Sequence, residues 1–220
     1  MKKRAAQSLI ALCLYSSLIV GCGNTVVQNE PTIESMEETE KVPEVIKYSE
    51  DEIRSIAKNN GLVRSYDDFD EVSFYYANYE MHQLNNTQYY CGISNGMYLY
   101  MANKGENVGL KCVLKYTGYS WIFFDNVTFK VGTEMYEYDI PYSDVKRDTT
   151  SDAKVYERYN FTCNDSFIEV IKAICEAGSC SIRFKGDDKQ NTIDLTSDDI
   201  NALSDVLDTY EEILAGKTQE

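Results

Sequence analysis

The chain has 220 residues, 36 of them acidic and 21 basic, and a formal net charge of −15. This charge argues against nucleic acid as a partner, because affinity for nucleic acid depends on Lys and Arg meeting phosphates. It also disfavours contact with anionic lipid headgroups. A cationic partner or metal ions are compatible with it, although a solvated acidic surface is the simpler interpretation.

The first 21 residues have the pattern of a signal peptide. Lys2, Lys3 and Arg4 precede an apolar run over 5–20 that contains no acid. A charged segment followed by a short apolar one is typical of secretory signals. The alternative is a membrane-spanning or buried helix, but the run is shorter than the roughly 20 residues that a span needs.

The stretch Ile19-Val20-Gly21-Cys22 resembles the lipobox of bacterial lipoproteins. The resemblance implies that the thiol of Cys22 receives a diacylglyceryl group, with acyl chains such as palmitate. It also implies that the signal peptide is cut between Gly21 and Cys22. Two acyl chains are sufficient for stable anchoring. We therefore expect a lipid-anchored protein on the extracytoplasmic face of the cell membrane.

Residues 22–47 are predicted to form the lipidated cysteine and an acidic flexible linker. They contain two of the three prolines, Pro31 and Pro43, and too few apolar side chains for a core. A tether of this length has a root-mean-square reach of roughly 25–30 Å. We predict a single globular domain over residues 48–216 and a short tail over 217–220.

The domain opens with a predicted short helix. Ser49 is placed to cap it, acids fill its first turn, and Ile53, Ile56 and Ala57 share one face. Asn60-Gly61 is predicted to end it.

From about Val72 the pattern changes to that of strands separated by turns. The predicted strands are VSFYYANY, MYLYMANKG, VGLKCVLKYTG, WIFFDNVTFKVG, EMYEYDI and KVYERYNFTC. The third should place Val108, Leu110, Cys112, Leu114 and Tyr116 on one face. The fourth should place Trp121, Phe123, Val127, Phe129 and Val131 on one face, if no bulge intervenes at Asp125-Asn126. Closely spaced turns favour an antiparallel sheet or partial sandwich.

Two amphipathic helices are predicted in the last third. Ser166 and Glu169 suggest a capping box for the first, with Gly178 as its stop. The strand CSIRFKG follows, and the last helix has a stripe at helical spacing. The stripe consists of Ile200, Leu203, Leu207, Tyr210 and Leu214. Both helices must cover apolar surface, so we predict an α+β fold with two C-terminal helices packed on the sheet.

SWIFFDNVTFKV, SIRFKG and LTSDDINALSDVLDTY resemble a C-terminal domain found in uncharacterised surface lipoproteins of Gram-positive bacteria. The resemblance covers roughly residues 70–215. It implies a fold and a location, and no catalytic role comes with it.

The cysteines allow two interpretations. If Cys13 is removed with the signal peptide and Cys22 carries lipid, an odd number of cysteines remains, so at least one thiol is free or pairs between chains. The remaining cysteines are Cys91, Cys112, Cys163, Cys175 and Cys180. An extracytoplasmic location permits disulfides, for example Cys175 with Cys180 or Cys91 with Cys112. The other interpretation is small buried thiols.

No catalytic residue, metal ligand set or cofactor site is predicted. His82 is the only histidine, so every Ser/His or Cys/His mechanism would depend on it, and its surroundings indicate a solvated loop. Gly186, Asp187 and Asp188 could hold calcium, but a polar turn is the simpler interpretation.

Candidate ligand-binding residues are one cation and a set of aromatic rings. Arg183 lies on a late strand and either reaches a ligand carboxylate or pairs with a structural acid. Tyr98, Tyr100 and Trp121, together with Tyr89 and Tyr90, either form an aromatic surface for sugars or peptides, or pack within the sheet.

These features favour a membrane-anchored, non-catalytic binding module of the cell envelope, with an unknown envelope ligand or protein as partner. One alternative is an envelope hydrolase that uses two carboxylates, one with a raised pKa. Another is an inhibitor or regulator of a second envelope protein. The first predicts an exposed aromatic or apolar patch.

Overall fold

In the part of the chain that the structure describes, strands with alternating apolar side chains form two antiparallel sheets, and three helices pack on them. The computed structural model describes residues 46–78, 95–150 and 153–217. Its fold is α+β, as the sequence predicted.

The larger sheet has six strands in the order β1-β2-β3-β4-β8-β7. Its strands are β1 (Val63–Asp67), β2 (Val72–Tyr76), β3 (Gly96–Lys104), β4 (Asn107–Gly118), β7 (Lys146–Thr149) and β8 (Val155–Thr162). All neighbouring strands in it are antiparallel. β1 and β7 are short and largely exposed, and their sequences carry no clear alternation, so the sequence did not predict them.

The smaller sheet has four strands in the order β10-β9-β5-β6. Its strands are β5 (Asn126–Val131), β6 (Glu134–Asp139), β9 (Ser181–Lys185) and β10 (Gln190–Asp194). A 3-10 turn, Tyr142–Asp144, follows β6. The exposed β10 was also missed by the sequence prediction.

The predicted buried face of β4 is confirmed. Leu110, Cys112, Leu114 and Tyr116 are all buried in the main core, because alternate side chains of a strand point to the same face. Lys115 lies on the opposite face, yet only 1% of it is exposed.

Helix α1 (Glu50–Asn59) is confirmed at both ends. The backbone N–H of Ser49 donates to the Glu52 carboxylate at 2.9 Å, and the chain leaves the helix through Asn60 and Gly61, whose φ is +80°. Helix α1 packs on β1 and on the last helix.

The N-cap of helix α2 (Asp165–Ala177) lies two residues before the predicted one. Asn164, and not Ser166, is the N-cap, and its side chain accepts from the backbone N–H of Phe167 at 2.9 Å. The prediction was wrong because Asn164 also suits that position. Gly178 ends the helix in the left-handed conformation, as predicted.

Helix α3 (Ser197–Ala215) has a capping box formed by Thr196 and Asp199. Its stripe is buried at Ile200, Leu203 and Leu207, but the predicted Leu214 is 55% exposed and Ile213 is buried in its place. Leu214 keeps the same helical period as Leu203 and Leu207, but it is the second-last residue of the helix, where no further turn covers it.

One continuous core joins the two sheets and the helices. Helix α3 packs on β3 and β4 of the larger sheet, while α2 packs on β5 of the smaller sheet and on α3. Among the described residues, no helix is both long enough and apolar enough to cross a membrane.

The predicted continuous strand over 121–131 is wrong in its first part. Residues 121–125 form a loop, and the strand starts only at Asn126. Ile122 and Phe124 are buried, while Phe123 is 45% exposed and has a φ of +57°. Trp121 and Phe123 therefore do not share the buried face of Val127, Phe129 and Val131.

Candidate functional site

The rings of Tyr98 and Tyr100 are packed in the larger sheet. They lie on the face opposite α3, form a small cluster with Val113, and are 5% and 8% exposed. Tyr100 stacks on Tyr76 at a centroid distance of 5.2 Å. The structure thus places both side chains in the packing arrangement that the sequence left as an alternative.

Arg183 lies on the outer face of the smaller sheet, away from those tyrosines. It is exposed, and its Nε donates to Thr192 Oγ1 at 3.4 Å. In the part of the chain that the structure describes, no acid forms an ion pair with Arg183.

Trp121 lies apart from both the tyrosines and Arg183. It lines a surface groove that is formed in part by the loop after β4. The groove has a volume of about 710 Å³. Four rings and two acids line it, and we call this set the aromatic groove: Tyr119, Trp121, Phe123, Tyr142, Asp187 and Asp188. Of the four predicted binding residues, Trp121 lines this groove and the other three do not.

The rings of the aromatic groove are accessible. Tyr119 is 83% exposed and Tyr142 57%. Trp121 stacks on Phe123, with ring centroids 5.6 Å apart and planes inclined by 17°. Exposed aromatic rings held side by side provide a large contact area whose ordering costs little conformational entropy, since each has only two side-chain torsions.

A buried carboxylate holds the loop that carries these rings. Glu157 on β8 is fully buried, and its Oε1 accepts from the backbone N–H groups of Ile122 at 2.7 Å and Phe123 at 2.9 Å. Its Oε2 accepts from the N–H of Phe124 at 3.0 Å. Successive N–H groups around one anion form a nest, and here the anion is the protein's own side chain.

Arg147 on β7 completes this arrangement and connects it to the other side of the groove. Its Nε donates to Glu157 Oε2 at 3.2 Å, and its Nη2 donates to the carbonyl of Phe124 at 3.1 Å. Its Nη1 donates to the carbonyl of Tyr142 at 2.8 Å, and its guanidinium lies 3.9 Å from the Tyr142 ring centroid. One guanidinium therefore fixes both ring-bearing segments.

The turn between β9 and β10 supplies the acids of the groove. It is closed by Gly186 N–H donating to the carbonyl of Lys189 at 2.9 Å. A Cβ on Gly186 would lie 2.2 Å from the carbonyl oxygen of Ile122, so the turn and the aromatic loop are in direct contact. Asp187 and Asp188 are exposed beside that contact.

Sequence reasoning missed Glu157 and Arg147, although a signal was present. In KVYERYNFTC, Glu157 occupies the same alternating face as Val155, Tyr159 and Phe161. A charge on the apolar face of a strand is buried only with partners, so it indicates a buried polar contact.

The described cysteines are free thiols. Cys112, Cys163 and Cys180 are buried and Cys175 half-buried, which favours the interpretation as buried thiols over the Cys175–Cys180 disulfide. Burial raises the pKa of Cys163 to about 12 and that of Cys175 to about 11. Burial also raises the pKa of Cys180 to about 12. Such thiols are poor nucleophiles near neutral pH.

Several sequence predictions concern residues outside the described part. These are Gly21, Cys22, the linker residues before Ile46, and His82, Tyr89, Tyr90 and Cys91. Within the described ranges, no group of three or more potential metal-binding side chains occurs.

The aromatic groove and the start of the domain lie at opposite ends of β4. The groove loop follows directly after Gly118, where β4 ends. At the other end, Asn107 and Val108 line a smaller cavity together with Lys47 and Tyr48. β4 has 12 residues, so at about 3.4 Å per residue its two ends are about 35–40 Å apart.

Comparison with protein-family models, with curated proteins and with solved structures found no match. The resemblance of Ile19–Cys22 to a lipobox, and that of residues 70–215 to surface lipoproteins, therefore stay predictions.

Proposed function

We propose that the protein is a lipid-anchored, extracytoplasmic binding module of the cell envelope, with the aromatic groove as its binding surface. The observation that carries this proposal is the group of exposed rings on a loop held by buried charges. A surface ordered before the ligand arrives loses less entropy on binding, and affinity rises accordingly.

The buried contacts favour a binding role for this loop. A loop that only connects two strands needs no buried carboxylate to accept hydrogen bonds from three of its N–H groups. Burying Glu157 requires that its desolvation be compensated. The result is a fixed loop backbone on which Phe123 is 45% exposed and stacks on the half-buried Trp121.

The position of the groove is consistent with a tether at the N-terminus. Ile46 forms an antiparallel bridge with Lys217, at the end of β4 remote from the groove. If lipid on Cys22 anchors the chain, the linker enters the domain at that end. The aromatic groove then lies on the part of the domain that is remote from the entry point of the tether.

The anchor is tested by Cys22→Ala in cells that process lipoproteins. We expect loss of metabolic lipid labelling and accumulation of uncut precursor, because the thiol accepts the diacylglyceryl group. Normal processing and labelling of this variant would disprove the anchor while leaving the groove untested by that experiment alone.

The groove is tested by capture of envelope material on purified full-length protein. Separate fractions of cell-wall polymer, membrane lipid and soluble envelope protein are offered to wild type, Tyr119→Ala and Trp121→Ala. We expect one fraction to be retained by wild type and lost with both variants.

Phe69→Ala is the matched control for this capture. Phe69 is 95% exposed and lies in the turn between β1 and β2. The backbone carbonyl of the next residue, Asp70, accepts a hydrogen bond from Lys104. Lys104 lies at the end of β3 that is remote from the groove. Retention that is equal in wild type and all three variants would exclude the groove as the binding surface.

A carboxylate-dependent hydrolase is the second candidate function, because Asp187 and Asp188 both line the groove. Glycosidases use two carboxylates that flank the scissile bond, whereas these two are neighbours on one turn. Release of soluble products from wall polymer, abolished by Asp187→Asn or Asp188→Asn, would support the hydrolase over the binding module.

A further inference from the structure

We propose that the aromatic groove binds a small organic cation with an alkylated ammonium group. This inference rests on the proposed function, since it names the ligand class of the same groove. Three features of the groove support it: the chemistry of its rings, the charge of its lining and its size.

The rings offer electron-rich faces. An ammonium group within about 6 Å of an aromatic centroid is attracted by the ring quadrupole, most strongly over tryptophan. Rings of this region already attract cations of the chain itself. The Arg147 guanidinium lies 3.9 Å from the Tyr142 centroid, and Lys154 Nζ lies 5.8 Å from that of Tyr119.

The charge of the lining complements a cation. Asp187 and Asp188 contribute two carboxylates to the lining, against one ammonium from Lys189, and the Lys154 ammonium lies outside that lining beside the Tyr119 ring. The whole chain carries a formal charge of −15, so a cation is attracted at long range and an anion is repelled. Glu157 and Arg147 form an ion pair below the loop, so together they add no net charge to the groove.

The size and polarity of the groove favour a small alkylated ion. A volume of about 710 Å³ lies within the range of roughly 300–1,000 Å³ that small-molecule sites occupy. Methyl groups on nitrogen contact Trp121 and Tyr119 as apolar surface, while the charge stays close to the two carboxylates. A neutral sugar would stack on the rings and donate hydroxyl hydrogen bonds to the carboxylates, but it has no positive charge to pair with them.

The test compares choline with its neutral analogue 3,3-dimethylbutan-1-ol, which has the same shape and no charge. Trp121 is the only tryptophan of the sequence, so its fluorescence reports directly on ligand in the groove. With purified full-length protein, we expect a saturable fluorescence change with choline. We expect the neutral analogue to bind about tenfold or more weakly.

Variants assign the binding to the groove. Tyr119→Ala and the double variant Asp187→Asn/Asp188→Asn should each weaken choline binding about fivefold or more, because they remove a ring face and the counter-charge. The double variant Asp68→Asn/Asp70→Asn removes an exposed acid pair from the turn between β1 and β2 and should bind like wild type. Calorimetry on Trp121→Ala measures its affinity without the fluorophore.

Each outcome decides the inference. Preference for choline that depends on Tyr119 and on the two acids supports it. Equal binding of both compounds, no binding of either, or binding unaffected by these variants overturns it. If choline fails while envelope material is still captured through Trp121, the proposed function stands and only the ligand class is wrong. If both fail, the groove is not a binding site.

Discussion

The two ends of the larger sheet are held in different ways. At the groove end, a fully buried carboxylate and an almost buried guanidinium bind the loop from below. At the tether end, the chain segments meet through an exposed bridge between Ile46 and Lys217 and an ion pair between Lys217 and Glu52, both of them about 40% exposed. Buried charge fixes geometry strongly, whereas exposed charge contributes little.

This difference suggests where the protein requires rigidity. The groove end presents rings that must be positioned for a ligand, and the tether end only has to receive a linker. The predictions below compare the two ends, beginning with the largest effect.

Glu157→Gln is expected to lower the free energy of unfolding by about 3–5 kcal/mol, because it leaves Arg147 buried without its counter-charge. An amide also has one acceptor oxygen in place of two, so the N–H of Phe124 loses its partner. Urea unfolding at pH 7 followed by circular dichroism measures the effect. Glu134→Gln, at an exposed position of β6, should change stability by less than about 0.5 kcal/mol. Equal stability of both variants would show that the buried pair does not hold the groove.

Gly186→Ala is expected to lower stability by about 1–3 kcal/mol, since the added Cβ overlaps the carbonyl oxygens of Ile122 and Phe123. The turn must move away from the aromatic loop, so ligand capture by the groove should fall as well. The matched control is Gly109→Ala near the other end of β4, where a Cβ meets nothing within 4 Å. Thermal unfolding and the capture assay provide the comparison. A Gly186→Ala variant as stable as Gly109→Ala would contradict the contact between turn and loop.

Glu52→Gln at the tether end is expected to have the smallest effect and a dependence on pH. The hydrogen bond from Lys217, and then that from Ser49, lowers the pKa of Glu52 from 4.5 to about 2. A lowered folded-state pKa stabilises the protein above pH 4.5, and this contribution is lost as the pH falls towards 2. The difference between wild type and Glu52→Gln should therefore be largest at neutral pH and vanish in acid. Because the pair is exposed, added salt should also reduce it. Urea titrations at several pH values measure it, and a difference that grows in acid would contradict the assignment.

Much of the fold could be predicted from local patterns. The buried face of β4, the strand β9 and the first and last helices follow from alternation, apolar stripes or capping residues in their own sequences. The strands β1, β7 and β10 could not be predicted in this way, because each pairs with one neighbour and buries little of its own surface.

The candidate site was largely beyond such reasoning. Trp121 was selected for its residue type, but its companions Tyr142 and Asp187 come from distant parts of the sequence. Of the two interpretations of Tyr98 and Tyr100, the structure shows packing within the sheet, because β3 directs both rings into a buried cluster with Val113.

The sequence by itself determined the charge, the alternation of most strands, both ends of the first helix and the lipobox-like stretch around Cys22. Only the tertiary structure decided that residues 121–125 leave the strand pattern. The loop is held by Glu157, which lies more than 30 positions away along the chain. Its carboxylate accepts hydrogen bonds from the N–H groups of Ile122, Phe123 and Phe124. Local propensity cannot report such a contact, because its energy arises only when β8 brings a buried charge beneath the loop.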